Sequence, residues 1–183
     1  MKRLMFLWDI VGRNARQTVI AKAADLKASQ NCDFLVVNCE NAAGGFGVTP
    51  SICDDLFGDG IDVLTTGNHV WDKSEISPYI EKEPRLLRPV NMAPEFPGVG
   101  VTIVAGDDGT RYVVVNVMAN LFMAQNDNAF AAMDKVLNTL KLGRDADAII
   151  VDFHGEATSE KVDMGHYIDG LSLIHISEPT RPY

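Results

Sequence analysis

Short apolar runs alternate along this chain with longer stretches of helical period. Leu4 to Trp8 is the first run; it closes at Asp9 and a turn at Gly12. Val19, Ile20, Ala23 and Leu26 then recur at the spacing that places them on one face of a helix. Phe34 to Val37 reads as a second strand, followed by Asn38-Cys39-Glu40-Asn41 and the glycine-rich loop Ala42-Ala43-Gly44-Gly45-Phe46-Gly47. Thr49-Pro50 predicts a helix start, with threonine as the cap and proline at the first helical position. Asp62 to Thr66 is a third strand and ends in Gly67-Asn68-His69. Asp72-Lys73-Ser74-Glu75 has the spacing of a capping box and predicts a third helix.

The rhythm then changes. Leu86 to Val90, Val99 to Ala105 and Tyr112 to Val117 read as strands, with Asp107-Asp108-Gly109 as a hairpin turn. Phe130, Met133, Val136, Leu137 and Leu140 form a helical stripe, and Ala148 to Phe153 is one more apolar strand, ending in His154. This alternation predicts the α/β class: a layered fold with a largely parallel sheet flanked by helices, plus an antiparallel insertion around residues 86–118.

Composition narrows the picture. Of 183 residues, 46% are hydrophobic and 22% charged, which excludes a disordered or collagen-like chain. A net charge of −9 argues against a large nucleic-acid surface, because phosphate backbones need clustered Lys and Arg. A small phosphate ester remains compatible, since a bound metal inverts the local charge. No apolar run approaches the ~18 residues of a membrane span. Asp9 interrupts the first apolar stretch too early for a signal-peptide core, so Leu4 to Trp8 is expected to be a buried strand. Cys32, Cys39 and Cys53 contain no Cys-x-x-Cys pair, which points to packing residues in a reducing cytoplasm rather than to zinc or a disulfide framework.

Four apolar strands each end in a polar cluster: Asp9, Glu40-Asn41, Asn68-His69 and His154. Taken singly, each has an ordinary structural reading as a turn residue, a cap or a half-buried hydrogen-bonding group. Together they fall where α/β sheets bind ligands, beyond the carboxyl ends of the strands. Neighbouring strands lie about 4.8 Å apart, so side chains at successive ends can converge. Carboxylate, amide and imidazole donors suit manganese, iron or zinc rather than thiolate-bound metals.

At these segments the chain resembles the calcineurin-like metallophosphoesterase superfamily and, within it, the bacterial YmdB-like family of cyclic-nucleotide phosphodiesterases. The segments are Asp9-Ile10-Val11-Gly12-Arg13, Asn38 to Gly47, Thr66-Gly67-Asn68-His69-Val70-Trp71-Asp72, Arg88-Pro89-Val90-Asn91, and Asp152-Phe153-His154-Gly155-Glu156-Ala157-Thr158-Ser159-Glu160-Lys161. The resemblance implies a metal-dependent phosphoric diester hydrolase, with a 2′,3′-cyclic nucleotide or a related small phosphodiester as substrate. It implies two metal ions per complete site, iron or manganese in first place and zinc or magnesium as alternatives. Asp9 is implied as a ligand of the first metal, and Glu40, with Asn41 beside it, as the ligand shared by both. Asn68 and His154 are implied for the second metal, and His69 as proton donor to the leaving oxygen. Two metals about 3.5–4 Å apart suit in-line displacement at phosphorus. The family's usual glycines before the first Asp and before the Glu are here Trp8 and Cys39.

The resemblance runs from Met1 to about Gly170. The family's Gly-x-His-x-His segment does not follow, and residues 171–183 resemble a translated sequencing adapter. The expectation is therefore a metallophosphoesterase domain over 1–170, C-terminally truncated, with a non-native tail over 171–183. At micromolar metal such a chain should leave the first position largely empty, bind at most one metal and turn over little. The alternative is a divergent C-terminus in which His175 replaces a lost ligand. Among functions, the alternative is a non-catalytic regulatory or metal-binding protein of the same fold, which Trp8 and the missing histidines favour. A nucleotide-binding domain built on Gly44 to Gly47 ranks lower, because no GxGxxG or Walker A pattern is present. A homo-oligomer is left open, and the expected partners are small molecules rather than nucleic acid or membrane.

Overall fold

The computed structural model describes residues 2–123 and 125–169, together with the backbone of 174–177. Its elements run β1 (Leu4–Leu7), α1 (Gly12–Ser29), β2 (Phe34–Asn38), α2 (Pro50–Gly58), β3 (Val63–Thr65), a 3-10 turn (Ser74–Ile76), α3 (Ser77–Ile80), β4 (Leu86–Leu87), β5 (Val101–Ala105), β6 (Arg111–Met118), α4 (Ala129–Thr139), β7 (Ala148–His154), α5 (Thr158–Ile168) and β8 (Ile174–Ser177).

The strands form two sheets rather than one. The first has the order β1-β2-β3-β4 and is parallel throughout. The second has the order β5-β6-β7-β8, and only its β5–β6 pair is antiparallel. The expected antiparallel insertion over 86–118 is thus reduced to a single hairpin, closed by the Gly106 to Thr110 turn with Gly109 at φ 81°. Leu86–Leu87 instead extends the first sheet in parallel.

Face-to-face packing of the sheets explains this. Phe34 and Val36 of β2, Val63 of β3 and Leu87 of β4 meet Tyr112 and Val114 of β6 and Ile150 of β7 in one buried cluster. Phe34 stacks on Tyr112 at 4.2 Å between ring centres. The alternate residues of the same strands face outward onto helices. Leu35, Val37 and Leu64 pack with Ala23 of α1 and Ile52, Cys53 and Leu56 of α2. Val113, Val115, Ile149 and Val151 pack with Met133 and Val136 of α4 and Met164 and Ile168 of α5. The result is helix, sheet, sheet, helix, in which the central strands are covered on both faces and so carry unbroken apolar runs.

Thr49 caps α2 as expected, its hydroxyl accepting from the Ile52 amide at 3.4 Å with Pro50 in the first turn. The capping box at Asp72 to Glu75 does not form. Lys73 stands at the N-terminus of the 3-10 turn without a side-chain cap, because the Asp72 carboxylate is engaged by His69. Of the segment expected to be a foreign tail, the backbone of Ile174–Ser177 pairs with β7 as β8; residues 171–173 and 178–183 lie outside the described residues.

Candidate metal centre

Strand parity delivers the site. Along β7, Ala148, Ile150, Asp152 and His154 share the face turned to the other sheet, and along β6 Tyr112, Val114 and Asn116 do so. That interior face is apolar at one end and becomes polar towards the carboxyl ends of the strands. Asn38, Thr66, Asn116 and Asp152 are all fully buried there. The Asn38 amide donates to the Asp152 carboxylate at 3.0 Å and to the Thr66 carbonyl at 3.3 Å, and the Thr66 amide donates to Asn116 Oδ1 at 3.3 Å. This network ties the two sheets together directly beneath the site. Its Asn38 Oδ1 accepts from the Glu40 amide at 3.2 Å, which fixes the chain where it leaves β2.

Above the network, the residues expected at the four strand ends come together. Glu40 is 3% exposed and His154 is 3% exposed. His154 Nε2 lies 3.0 Å from Asn68 Oδ1 and 3.3 Å from Glu40 Oε1. On the other side, the Asn41 amide donates to Glu40 Oε1 at 3.1 Å and to both Asp9 oxygens at 3.0 and 3.2 Å. Asp9 takes a positive φ of 40°, and the chain beyond it is tied to β2 by Ile10 N to Asn38 O at 3.2 Å and Gly12 N to Asn41 O at 2.9 Å. Burial pushes the His154 pKa down to about 4, with the charges of Lys161 and His69 adding to the effect. His154 is therefore a neutral imidazole at neutral pH, the form in which a histidine ligates.

His69 stands beside this cluster. Its Nδ1 donates to the Asp72 carboxylate at 2.7 Å, leaving Nε2 as the nitrogen able to meet a substrate. Phe46 and His69 make a T-shaped ring contact, 4.8 Å between ring centres. Gly67 is the hinge of the arrangement: a Cβ there would fall 2.2 Å from Glu40 Oε2 and 2.6 Å from His154 Nε2.

The donor set fits a cation. Glu40, Asn68 and His154 aim electron-rich atoms at one point, and the Asn41 amide sits between two carboxylates where positive charge is wanted. The set draws on amide oxygens: among the described residues, no three His, Cys, Asp or Glu side chains gather into a metal-holding group. Trp8, beside Asp9, packs edge-on to Phe6, and its indole nitrogen is buried without a hydrogen-bond partner among the described residues. Cys39 and Cys53 are buried, and their mutual hydrogen bond followed by burial raises the Cys39 thiol, so both are packing residues. His175 lies in register with Val151 in the backbone of β8. Motif reading missed Asn116 and Asp152 as supports and Asp72 as the partner of His69. The available signal was a polar residue set inside an otherwise apolar strand.

The layered α/β fold is that of the metallophosphoesterases, and the chain belongs to the YmdB-like protein family, which matches residues 5–177. It is 38% identical over 168 residues to a 2′,3′-cyclic-nucleotide 2′-phosphodiesterase of Bacillus subtilis (strain 168), covering 92% of this chain and 62% of that protein. It superposes on the crystal structure of a hypothetical protein from Thermus thermophilus with a TM-score of 0.85 at 32% identity, covering 94% of this chain and 66% of that one. It likewise superposes on the crystal structure of a novel phosphatase from Mycoplasma pneumoniae with a TM-score of 0.81 at 26% identity, covering 95% and 64%. The chain thus spans about three fifths of the length of the curated relative, at 62%. No described helix is long and apolar enough to cross a membrane.

Proposed function

We propose that this chain carries the site of a dinuclear, metal-dependent phosphodiesterase acting on 2′,3′-cyclic nucleotides or related small phosphodiesters. The observation that supports it best is the convergence of Glu40, Asn68 and His154 on one point, with Asp9 joined to Glu40 through Asn41. Glu40, Asn68 and His154 would hold one ion, and Asp9, Glu40 and Asn41 the other. Iron or manganese suits these donors first, then zinc or magnesium. When bound, such ions act as Lewis acids that neutralise the phosphate oxygens during in-line displacement.

The chain's own residues supply the rest. Glu40 brings negative charge to a position shared by both donor sets. His154 stays neutral through burial and so remains available as a donor. His69, oriented by Asp72, would pass a proton from Nε2 to the leaving ribose oxygen. The free thiols of Cys32, Cys39 and Cys53 accord with a cytoplasmic setting.

The two donor sets differ in strength. Asp9, Glu40 and Asn41 include no imidazole, so that position should hold a transition metal more weakly than the one with His154. Titrating Mn²⁺ into the purified chain should fill one equivalent tightly and a second only in excess. Hydrolysis of 2′,3′-cyclic AMP should rise with the second. Metal binding without hydrolysis at any Mn²⁺ concentration would favour a non-catalytic metal-binding protein of this fold, and no metal binding would overturn both.

Gly67 offers a local check. Gly67→Ala would drive a methyl group into Glu40 and His154, which cannot both yield inside a buried site. The fold should survive, since the clash is with side-chain ends rather than backbone. Mn²⁺ affinity should fall about 10- to 100-fold, as for loss of other supports around metal ligands. Calorimetric titration reads this directly; unchanged affinity would mean that the ligands lie elsewhere.

A further inference from the structure

Resting on that phosphodiesterase reading, we propose that Phe46 is a specificity-determining residue, the platform on which the base of a cyclic nucleotide stacks. Phe46 is 57% exposed, so its ring is open to a ligand from solvent. Its loop begins at the site itself, with Gly45 N bonded to Asn41 O at 3.1 Å and Ala43 N to Gly47 O at 2.9 Å. Gly44, Gly45 and Gly47 all take positive φ, between 76° and 106°. The loop is also pressed against the His69 segment: a Cβ at Gly47 would fall 2.9 Å from the Lys73 side chain and 3.3 Å from Asp72. Phe46 is therefore displayed by a backbone that few sequences can adopt, with its ring centre 4.8 Å from that of His69, the ring assigned to the leaving oxygen.

The chemistry of the substrate matches this placement. In a 2′,3′-cyclic nucleotide the phosphate and the base are carried by the same furanose. With phosphorus over Glu40 and His154 and the leaving oxygen towards His69, a base projecting past His69 would meet Phe46, whose ring centre lies 4.8 Å from that of His69. A phenyl face recognises any nucleobase by stacking and reads no particular base edge. The structure thus assigns to this position a preference for nucleotides over baseless phosphodiesters, without a strong choice among bases.

The test compares wild type, Phe46→Ala and Phe46→Trp on 2′,3′-cyclic AMP and on ribose 2′,3′-cyclic phosphate, which lacks the base. Phe46→Ala should reduce the preference for the nucleotide, as a ratio of kcat/KM values, by about 10- to 100-fold, mostly through KM. Phe46→Trp should restore it. Equal effects of Phe46→Ala on both compounds would overturn the proposal. Calorimetric binding of adenosine 3′-monophosphate in Mn²⁺ separates this from the parent reading. If wild type hydrolyses nothing yet binds the nucleotide more tightly than Phe46→Ala does, the platform stands and the enzymatic reading falls. If wild type and Phe46→Ala bind it equally, or wild type does not bind it, the platform falls.

Discussion

Replacing Glu40 by glutamine is expected to abolish metal-dependent hydrolysis and to lower Mn²⁺ affinity by at least about 10³-fold. Glutamine preserves size, so the change is one of charge alone. The carboxylate is 3% exposed and stands between the Asn41 amide and His154, common to both donor sets. A unit charge pair at 4 Å and an effective dielectric of 20 is worth about 4 kcal/mol, roughly three decades in affinity. The metal-free protein should be as stable as wild type or more so, because a buried carboxylate no longer has to be desolvated. Wild type in excess metal should gain about 4 kcal/mol at a thousand times the dissociation constant, and the variant should lose that gain. Thermal melts of both proteins with and without Mn²⁺, alongside elemental analysis, read the effect. Wild-type metal stoichiometry in Glu40→Gln would sink the assignment of Glu40 as the shared ligand.

His69→Ala should behave in the opposite way towards metal. Its Nδ1 bonds to Asp72, and it belongs to neither of the two proposed donor sets, so both metal positions should be retained. Hydrolysis of 2′,3′-cyclic AMP should slow by about 10² to 10⁴, the range for a lost general acid, because the ribose alkoxide is a poor leaving group. The loss should shrink for bis-p-nitrophenyl phosphate, whose nitrophenolate departs without a proton. An equal loss on both substrates would rule out proton donation by His69. Loss of metal would move His69 into the ligand set.

Most of the local structure was legible in the sequence. The apolar runs at Leu4, Phe34, Asp62 and Ala148 lie in or over strands, and Thr49-Pro50 opens a helix as its chemistry dictates. Glu40 and Asn68 lie beyond the carboxyl ends of neighbouring parallel strands of the first sheet, and His154 meets them from the end of β7 in the second. The capping box failed for a specific reason. Asp72 had two partners within reach, and the His69 imidazole, held by tertiary packing, took the carboxylate that a local cap would have used.

Hydrophobic alternation along β2, β6 and β7 was enough to mark which residues are buried and where each strand gives way to polar side chains. It could not say what covers them, since a helix and a second sheet ask for the same apolar residues. Only the tertiary structure decided that Phe34, Tyr112 and Ile150 face one another across two sheets while Leu35, Val113 and Ile149 face helices. The same packing decided the role of Asn38, Asn116 and Asp152. Each is a polar residue in an apolar strand, and alone each would be costly to bury. Brought together between the sheets, Asn38 and Asn116 donate to the Asp152 carboxylate, and Asn38 also accepts from the amide of Glu40, which lies beside His154. Those contacts join positions separated by 114 residues, Asn38 to Asp152, a distance over which no local pattern carries information.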